Sequence, residues 1–185
     1  FLDFCHGHTR AIGELVCTRT IQTTAVHRAA SLLPMLTRIA AQDPRPLTVV
    51  EVGCGPGFNL LFDKYHYRYE YGDGSVQTFG PPDSPVSLRA QMLGARITLP
   101  AAMPQVGVRI GIDLNPIDPA DHVQSNWIVA CMRPEYTEVL DSIRAAFRMR
   151  QDIPMRVLAG DAVTTLPPLL GELPDPLCVV HSHTI

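Results

Sequence analysis

Leu47 to Leu61 reads Leu-Thr-Val-Val-Glu-Val-Gly-Cys-Gly-Pro-Gly-Phe-Asn-Leu-Leu, and it leaves the chain few ways to fold. An apolar, β-branched run ends in Glu51, breaks at Gly53, Gly55 and Gly57, and resumes as an apolar segment. The pattern predicts strand, tight turn and helix, the ligand-binding corner of an open α/β sheet. Glycine lets the backbone turn sharply and lets a ligand approach where a Cβ would collide. A helix starting there would aim unpaired N–H groups and its positive end at the same spot. A dinucleotide fingerprint needs glycines at 53, 55 and 58, but position 58 is Phe, which disfavours a nicotinamide cofactor. A glycine-rich turn without a ligand is the alternative.

The rest of the chain supplies a sheet around that corner. Residues 1–42 read as helical, with Ile12, Leu15 and Val16, then Val26, Ala29, Leu33, Leu36 and Ile39 at helical spacing. Pro34 is expected to kink or divide the second helix, and Asp43-Pro44-Arg45-Pro46 to end it. The polar stretch Arg19 to Thr24 reads first as a solvated turn, with a lid over the glycine corner as the alternative. Tyr65 to Tyr71 alternates aromatic and polar residues, Gly72-Asp73-Gly74 signals a turn, and Ser75 to Phe79 runs back. Residues 65–100 therefore predict an antiparallel β insertion, its tyrosines read first as strand packing and otherwise as a contact surface.

Val106 to Leu114 is the next core strand, ending in Asp113. Helices are expected over 119–131 and 135–150, the latter with Arg144, Arg148 and Arg150 on a solvated face. A strand over 155–159 leads into Gly160-Asp161-Ala162, a helix follows over 162–170, and an apolar strand ends in His181-Ser-His183. Strands alternating with helices predict a parallel sheet with right-handed crossovers. Glu51, Asp113, Asp161 and His181 then fall independently at carboxyl ends of strands, where such sheets bind ligands.

Composition removes several classes of function. A net charge of −3, with Lys64 the single lysine among 15 basic residues, gives no footprint for nucleic acid or an anionic membrane. The 5 cysteines are scattered and never in a Cys-x-x-Cys pair, which suits reduced thiols and a cytoplasmic setting. No apolar run is long enough for a membrane span. His181 and His183 share a strand face, but a zinc site needs three or four ligands and no others are suitably spaced, so no metal is expected. Cys54 could be an activated thiol at the turn, though a small residue filling it is the more ordinary role. The start at Phe1 without Met, and the stop at Ile185 straight after an apolar strand, are what a piece of a larger domain would show.

Glu51-x-Gly53-x-Gly55-x-Gly57 resembles the first motif of class I S-adenosylmethionine-dependent methyltransferases. More widely, the chain resembles a bacterial family known only as a domain of unknown function with a methyltransferase-like core. The resemblance rests on Arg19, Gln22-Thr23, Arg28, Leu33-Pro34, Glu51-Val-Gly53, Gly57, Asn59-Leu-Leu61 and Asp63. It continues through Tyr67, Tyr71-Gly72, Gly111 to Pro116, Trp127, Pro134-Glu135, Gly160-Asp161 and His181-Ser182. Cys54-Gly55-Pro56 stands where that family often has small residues and Ser, which brings this copy nearer to a working methyltransferase. Thr24-Ala25 replaces a usual Asn-Glu pair.

The resemblance implies a Rossmann-like three-layer α/β/α fold with a mainly parallel sheet. It divides the chain into an N-terminal helical segment, 1–46, and a partial methyltransferase-like core, 47–185. It implies S-adenosylmethionine as cofactor, bound by Glu51, Gly53, Cys54, Gly55, Gly57, Asn59, Asp113, Leu114, Asp161 and Ala162. Glu51 would face the methionine amino end, Asp113 the ribose and Asp161 with Ala162 the adenine. For Asp113 and Asp161 a helix- or loop-capping role competes. His181 is the candidate catalytic base or positioning group, with a purely structural histidine as the alternative. A non-catalytic cofactor-binding or interaction module remains the second class of function. Self-association through a bare sheet edge or the aromatic hairpin would fit either.

Overall fold

The computed structural model describes residues 1–22 and 24–183, and its centre is a parallel sheet. Strand β1 (Leu47–Val52) lies between β5 (Val106–Asp113) and β7 (Leu177–His181), and β6 (Arg156–Ala159) pairs outside β5. The order is β6-β5-β1-β7. The chain thus builds outward from β1 through β5 to β6, then crosses back to lay β7 on β1's other side. Glu51 is in register with Gly111 and Val180, so β1 and both its neighbours end at one edge.

Side chains of β1 leave the sheet alternately, as strand geometry requires. Leu47 and Val49 enter the larger core, with α3 (Arg28–Ala40), α4 (His122–Ala130) and α5 (Thr137–Asp152). Val50 enters a smaller core on the other face, where α6 (Ala162–Leu170) brings Leu166 and Leu169. Both faces are covered, as a parallel sheet needs.

The insertion differs from its expected form. β2 (His66–Tyr71) and β3 (Val76–Phe79) are the antiparallel hairpin, but β4 (Ser87–Met92) pairs parallel to β2 on its other edge. The connection Gly80-Pro-Pro-Asp-Ser-Pro85 carries the chain back to the start of β2, and Ser84 Oγ donates to Lys64 O at 2.7 Å to fix the return. The small sheet is therefore mixed, β3-β2-β4.

Its tyrosines form no outer surface. Tyr65, Tyr67, Tyr69 and Tyr71 are all buried, and the first three hydroxyls cap carbonyls of the elements they face. Tyr65 donates to Phe58 O at 2.8 Å and Tyr67 to Phe62 O at 2.6 Å. Arg109, buried on β5, donates to Leu60 O and at 2.7 Å to Asp63 Oδ2. Three carbonyls of the segment after the glycine turn are thus held by side chains. Asn59–Lys64 of that segment is a 3-10 helix, where the apolar run reads as a short helix of unstated type.

Tyr69 explains a second difference. Pro34 neither divides nor stops α3, which runs unbroken from Arg28 to Ala40. A proline has no N–H for the carbonyl four residues back, here Ala30, and a buried orphan carbonyl is costly. The Tyr69 hydroxyl donates to that carbonyl at 2.8 Å. The first two helices, α1 (Leu2–Gly7) and α2 (Thr9–Thr18), bury no residue, so Leu15 and Val16 face outward despite their helical spacing. Helix α4 begins on Asp121, which caps Val123 N and Gln124 N, and not at Pro119.

The Tyr69–Ala30 bond sets a testable coupling. Tyr69→Phe is expected to lower stability by about 1–3 kcal/mol, because it strands a buried carbonyl. In a Pro34→Ala background the new N–H can answer Ala30, so the same substitution should cost about 0.5 kcal/mol or less. Equilibrium urea denaturation of the four proteins measures the difference; equal costs in both backgrounds would refute the account.

Candidate functional site

Gly53, Gly55 and Gly57 all lie at positive φ, +71°, +51° and +80°, as the sequence required. The turn they make is stitched to the end of β5. Gly53 N donates to Ile112 O at 2.7 Å and Gly55 N to Asp113 Oδ2 at 2.7 Å, while Gly57 N donates to Cys54 O at 2.8 Å. These are the N–H groups a phosphate would need, and they are engaged within the protein. A 3-10 helix, Asn59–Lys64, follows in place of an α-helix. The three glycine N–H groups therefore form no open anion cradle.

A buried acid is present instead. Glu51 is 1% exposed; its Oε1 accepts from Asn59 Nδ2 at 2.6 Å, and its Oε2 has no hydrogen-bond partner. Asn59 Oδ1, beside it, is also buried without a partner. Burial pushes the Glu51 carboxyl up to about 8, against opposing pulls from the Asn59 hydrogen bond and the charge of Arg28. Both residues line a polar cavity of about 210 Å³ with Gly53, Gly55, Arg28 and Asp113.

The roof of that cavity comes from the polar stretch ahead of α3, which is the lid of the two readings and not the solvated turn. Gln22 Nε2 donates to Asn115 O at 3.1 Å, Arg28 to Ser182 O at 3.3 Å, and Trp127 Nε1 to Thr20 O at 2.9 Å. Gln22, Thr24, Ala25 and Arg28 all line the cavity. Thr23 lies outside the described residues. Nothing in the residues' own spacing marked Arg28 or Gln22 as part of a site. Only their place just before the first strand, and the family resemblance, pointed there.

A second cavity, of about 790 Å³, opens on the other side of the Asp113 side chain. Its apolar wall includes Leu114 and Val163, 71% and 80% exposed, beside Ala162. Asp161 and His181 supply polar groups, and no Lys or Arg lines it. Asp161 accepts from Val163 N at 2.9 Å and so caps α6, the competing role, while still lining the cavity. His181 is exposed at the last position of β7. The residues read from the sequence thus gather at one sheet edge, but divided between two cavities: Glu51, Cys54, Gly55 and Asn59 in the smaller, Leu114, Asp161, Ala162 and His181 in the larger, while Gly57 lines neither and faces Met155. Asp113 borders both, its Oδ2 bracing the glycine turn and its Oδ1 accepting from Asn115 N at 2.8 Å.

Cys54 is buried and packs over Gly111, where a Cβ would overlap its sulfur. Burial first, then the nearby Glu51 and Asp113 carboxylates, push its thiol far above the ordinary range, which disfavours the thiolate; its place is in filling the turn. Behind the turn Arg150 is half-buried rather than solvated, donating to Ile153 O at 3.3 Å.

Glu51 gives the apoprotein a distinct pH dependence. Unfolded, the carboxyl ionises near 4.5, and folded it holds its proton to about 8. In that window the folded state binds a proton the unfolded state has released, so stability falls as pH rises and levels off above 8. The slope from this one group is about 1.4 kcal/mol per pH unit. Glu51→Gln should flatten it, and denaturant titrations from about pH 5 to pH 9 read the difference directly. An unchanged slope in the variant would contradict the burial of an uncompensated acid.

Among the described residues no helix is long and apolar enough to cross a membrane. No curated protein and no solved structure matches the chain. One family model matches residues 1–185, the whole sequence. The chain therefore belongs to the bacterial family described as "Uncharacterized protein conserved in bacteria (DUF2332)".

Proposed function

We propose that this corner binds S-adenosylmethionine and that the protein transfers its methyl group to an acceptor. The observation that carries the reading is the pair of buried, unpartnered oxygens, Glu51 Oε2 and Asn59 Oδ1, in the cavity that Arg28 also lines. With Glu51 ionised both orphan atoms are acceptors and call for one group with several donors; an α-ammonium has three, and its positive charge favours that ionisation. The Arg28 guanidinium answers the α-carboxylate of the same amino acid.

The remaining features suit the rest of that molecule. The order β6-β5-β1-β7 reverses between β1 and β7, which is how a Rossmann-like sheet makes its ligand crevice. The larger cavity, with carboxylates and no cation, suits an uncharged nucleoside better than a nucleotide. Leu114 and Val163 would sandwich the adenine, Asp161 would accept from its amino group, and Asp113 would accept from ribose hydroxyls through its remaining lone pairs. Gly53, Cys54 and Gly55 would form the floor at the amino-acid end, with Gly57 shaping the turn from behind, and Ala162 would leave room for the base. The braced N–H groups argue against ATP or a nicotinamide dinucleotide in the same place. The cofactor supplies the electrophile, and the protein supplies orientation.

Thermal denaturation of the full-length protein tests this. A ligand with a dissociation constant near 10 μM, present at 1 mM, adds about 2.7 kcal/mol of stability, roughly 5–10 °C for a chain of this size. S-adenosylmethionine and S-adenosylhomocysteine should each raise the midpoint, ATP and NAD should not, and Asp113→Ala should lose the response relative to its own unliganded midpoint. No response of the wild type to either sulfur ligand at millimolar concentration would end the proposal.

A further inference from the structure

The two cavities share Gly53, Asp113 and His183. We propose that His183, and not His181, is the base at the methyl-transfer point, taking the proton of an acceptor that reacts through an O–H or N–H group. The inference rests on the S-adenosylmethionine reading: with the amino acid in the smaller cavity and the nucleoside in the larger, the sulfonium joining them lies at the seam.

Of the three seam residues, Gly53 has no side chain, and both carboxylate oxygens of Asp113 already accept backbone N–H groups. The His183 imidazole is exposed and makes no hydrogen bond among the described residues. Its backbone is left-handed at φ +57°, and it is the one non-glycine residue so placed among those described. Such a conformation is strained for a residue with a Cβ and is concentrated at functional sites. It turns the chain after β7 so that residue 183 reaches both cavities, whereas His181 borders only the larger.

The step balances without a further reactant. A lone pair on the acceptor's oxygen or nitrogen bonds to the methyl carbon, the carbon–sulfur bond breaks, and its electrons neutralise the sulfonium to a thioether. The acceptor's proton passes to the imidazole nitrogen and then to water. The charged and titratable groups around His183 are Glu51, Asp113 and Arg28 on one side and His181 and Asp161 on the other.

A sulfonium beside an imidazole depresses its protonation, and the uncharged sulfur of S-adenosylhomocysteine does not. In the full-length protein with isotope-labelled histidine, the His181 and His183 ring resonances are assigned with His181→Gln and His183→Gln. They are then titrated alone, with S-adenosylmethionine and with S-adenosylhomocysteine. The expected result is a midpoint for His183 about one pH unit lower with S-adenosylmethionine than with S-adenosylhomocysteine, and a smaller change at His181. A larger change at His181, or no difference at either ring while both ligands shift the Gly53 and Gly55 amides, overturns the assignment and leaves the cofactor reading standing. No amide response to either ligand removes both. His183→Gln should hold S-adenosylhomocysteine affinity within about threefold; a tenfold loss would make His183 a binding residue instead of the base.

Discussion

Asp113 is where the corner is tied together. Its side chain receives Gly55 N from the turn after β1 and Asn115 N from its own loop, and its carbonyl receives Gly160 N from the turn after β6. Turns at three strand ends are thus fixed to one residue, and Asn115 in turn receives Gln22 from the roof. A glycine turn with three positive φ values has much conformational freedom to lose on folding. Charge-assisted hydrogen bonds to one carboxylate offset part of that loss. The same bonds engage the N–H groups that a phosphate would use, so the bracing of the turn also narrows what it can bind.

The small sheet works from behind. The 3-10 helix carrying Asn59 is held through its carbonyls by Tyr65, Tyr67 and Arg109, and Arg109 is in turn paired with buried Asp63 at 2.7 Å. Asn59 therefore starts a rigid segment, which keeps its amide against Glu51. Breaking the Asp63–Arg109 pair by removing one partner would leave an uncompensated buried charge, and the nearest structure to relax is that segment. The tyrosine ladder also reaches α3 through Tyr69, so the lid that α3 anchors and the floor that Asn59 joins share one scaffold.

What the sequence made legible is what depends on local pattern. Apolar runs located β1, β5, β6 and β7, and the glycines located a turn with strict backbone demands, so their shared edge followed from parallel topology. What it hid depends on distant partners. Pro34 reads as a helix breaker until Tyr69, 35 places later by number, caps the carbonyl it frees. The apolar segment after Phe58 reads as a short helix of unstated type until Arg109 and the tyrosines take its carbonyls. β4 shows the alternation of a strand, but alternation carries no direction, and the proline-rich return made it parallel. The stretch Arg19 to Thr24 is polar whether it meets water or roofs a cavity, and only Asn115, Trp127 and Ser182 decide the matter.

The protein caps the Ala30 carbonyl with Tyr69 and satisfies Arg109 twice, yet it leaves Glu51 Oε2 and Asn59 Oδ1 buried and unanswered a few residues away. Asp63 Oδ1, His66 Nδ1 and Arg150 Nε are also buried without partners, but of these atoms only Glu51 Oε2 and Asn59 Oδ1 belong to residues that line the smaller cavity. A buried carboxyl held up to about 8 is a liability for folding, and an amide or an apolar residue at 51 would remove it. Chains tend to keep such costs where a site needs them, because selection removes only what falls below the stability required for function. Asn59 Oδ1 is an acceptor at any pH, and Glu51 Oε2 becomes one once the carboxyl ionises. What the structure adds to the glycine motif is a buried acid: a turn that by itself is compatible with several nucleotides is set beside a polar cavity lined by two buried polar atoms without partners.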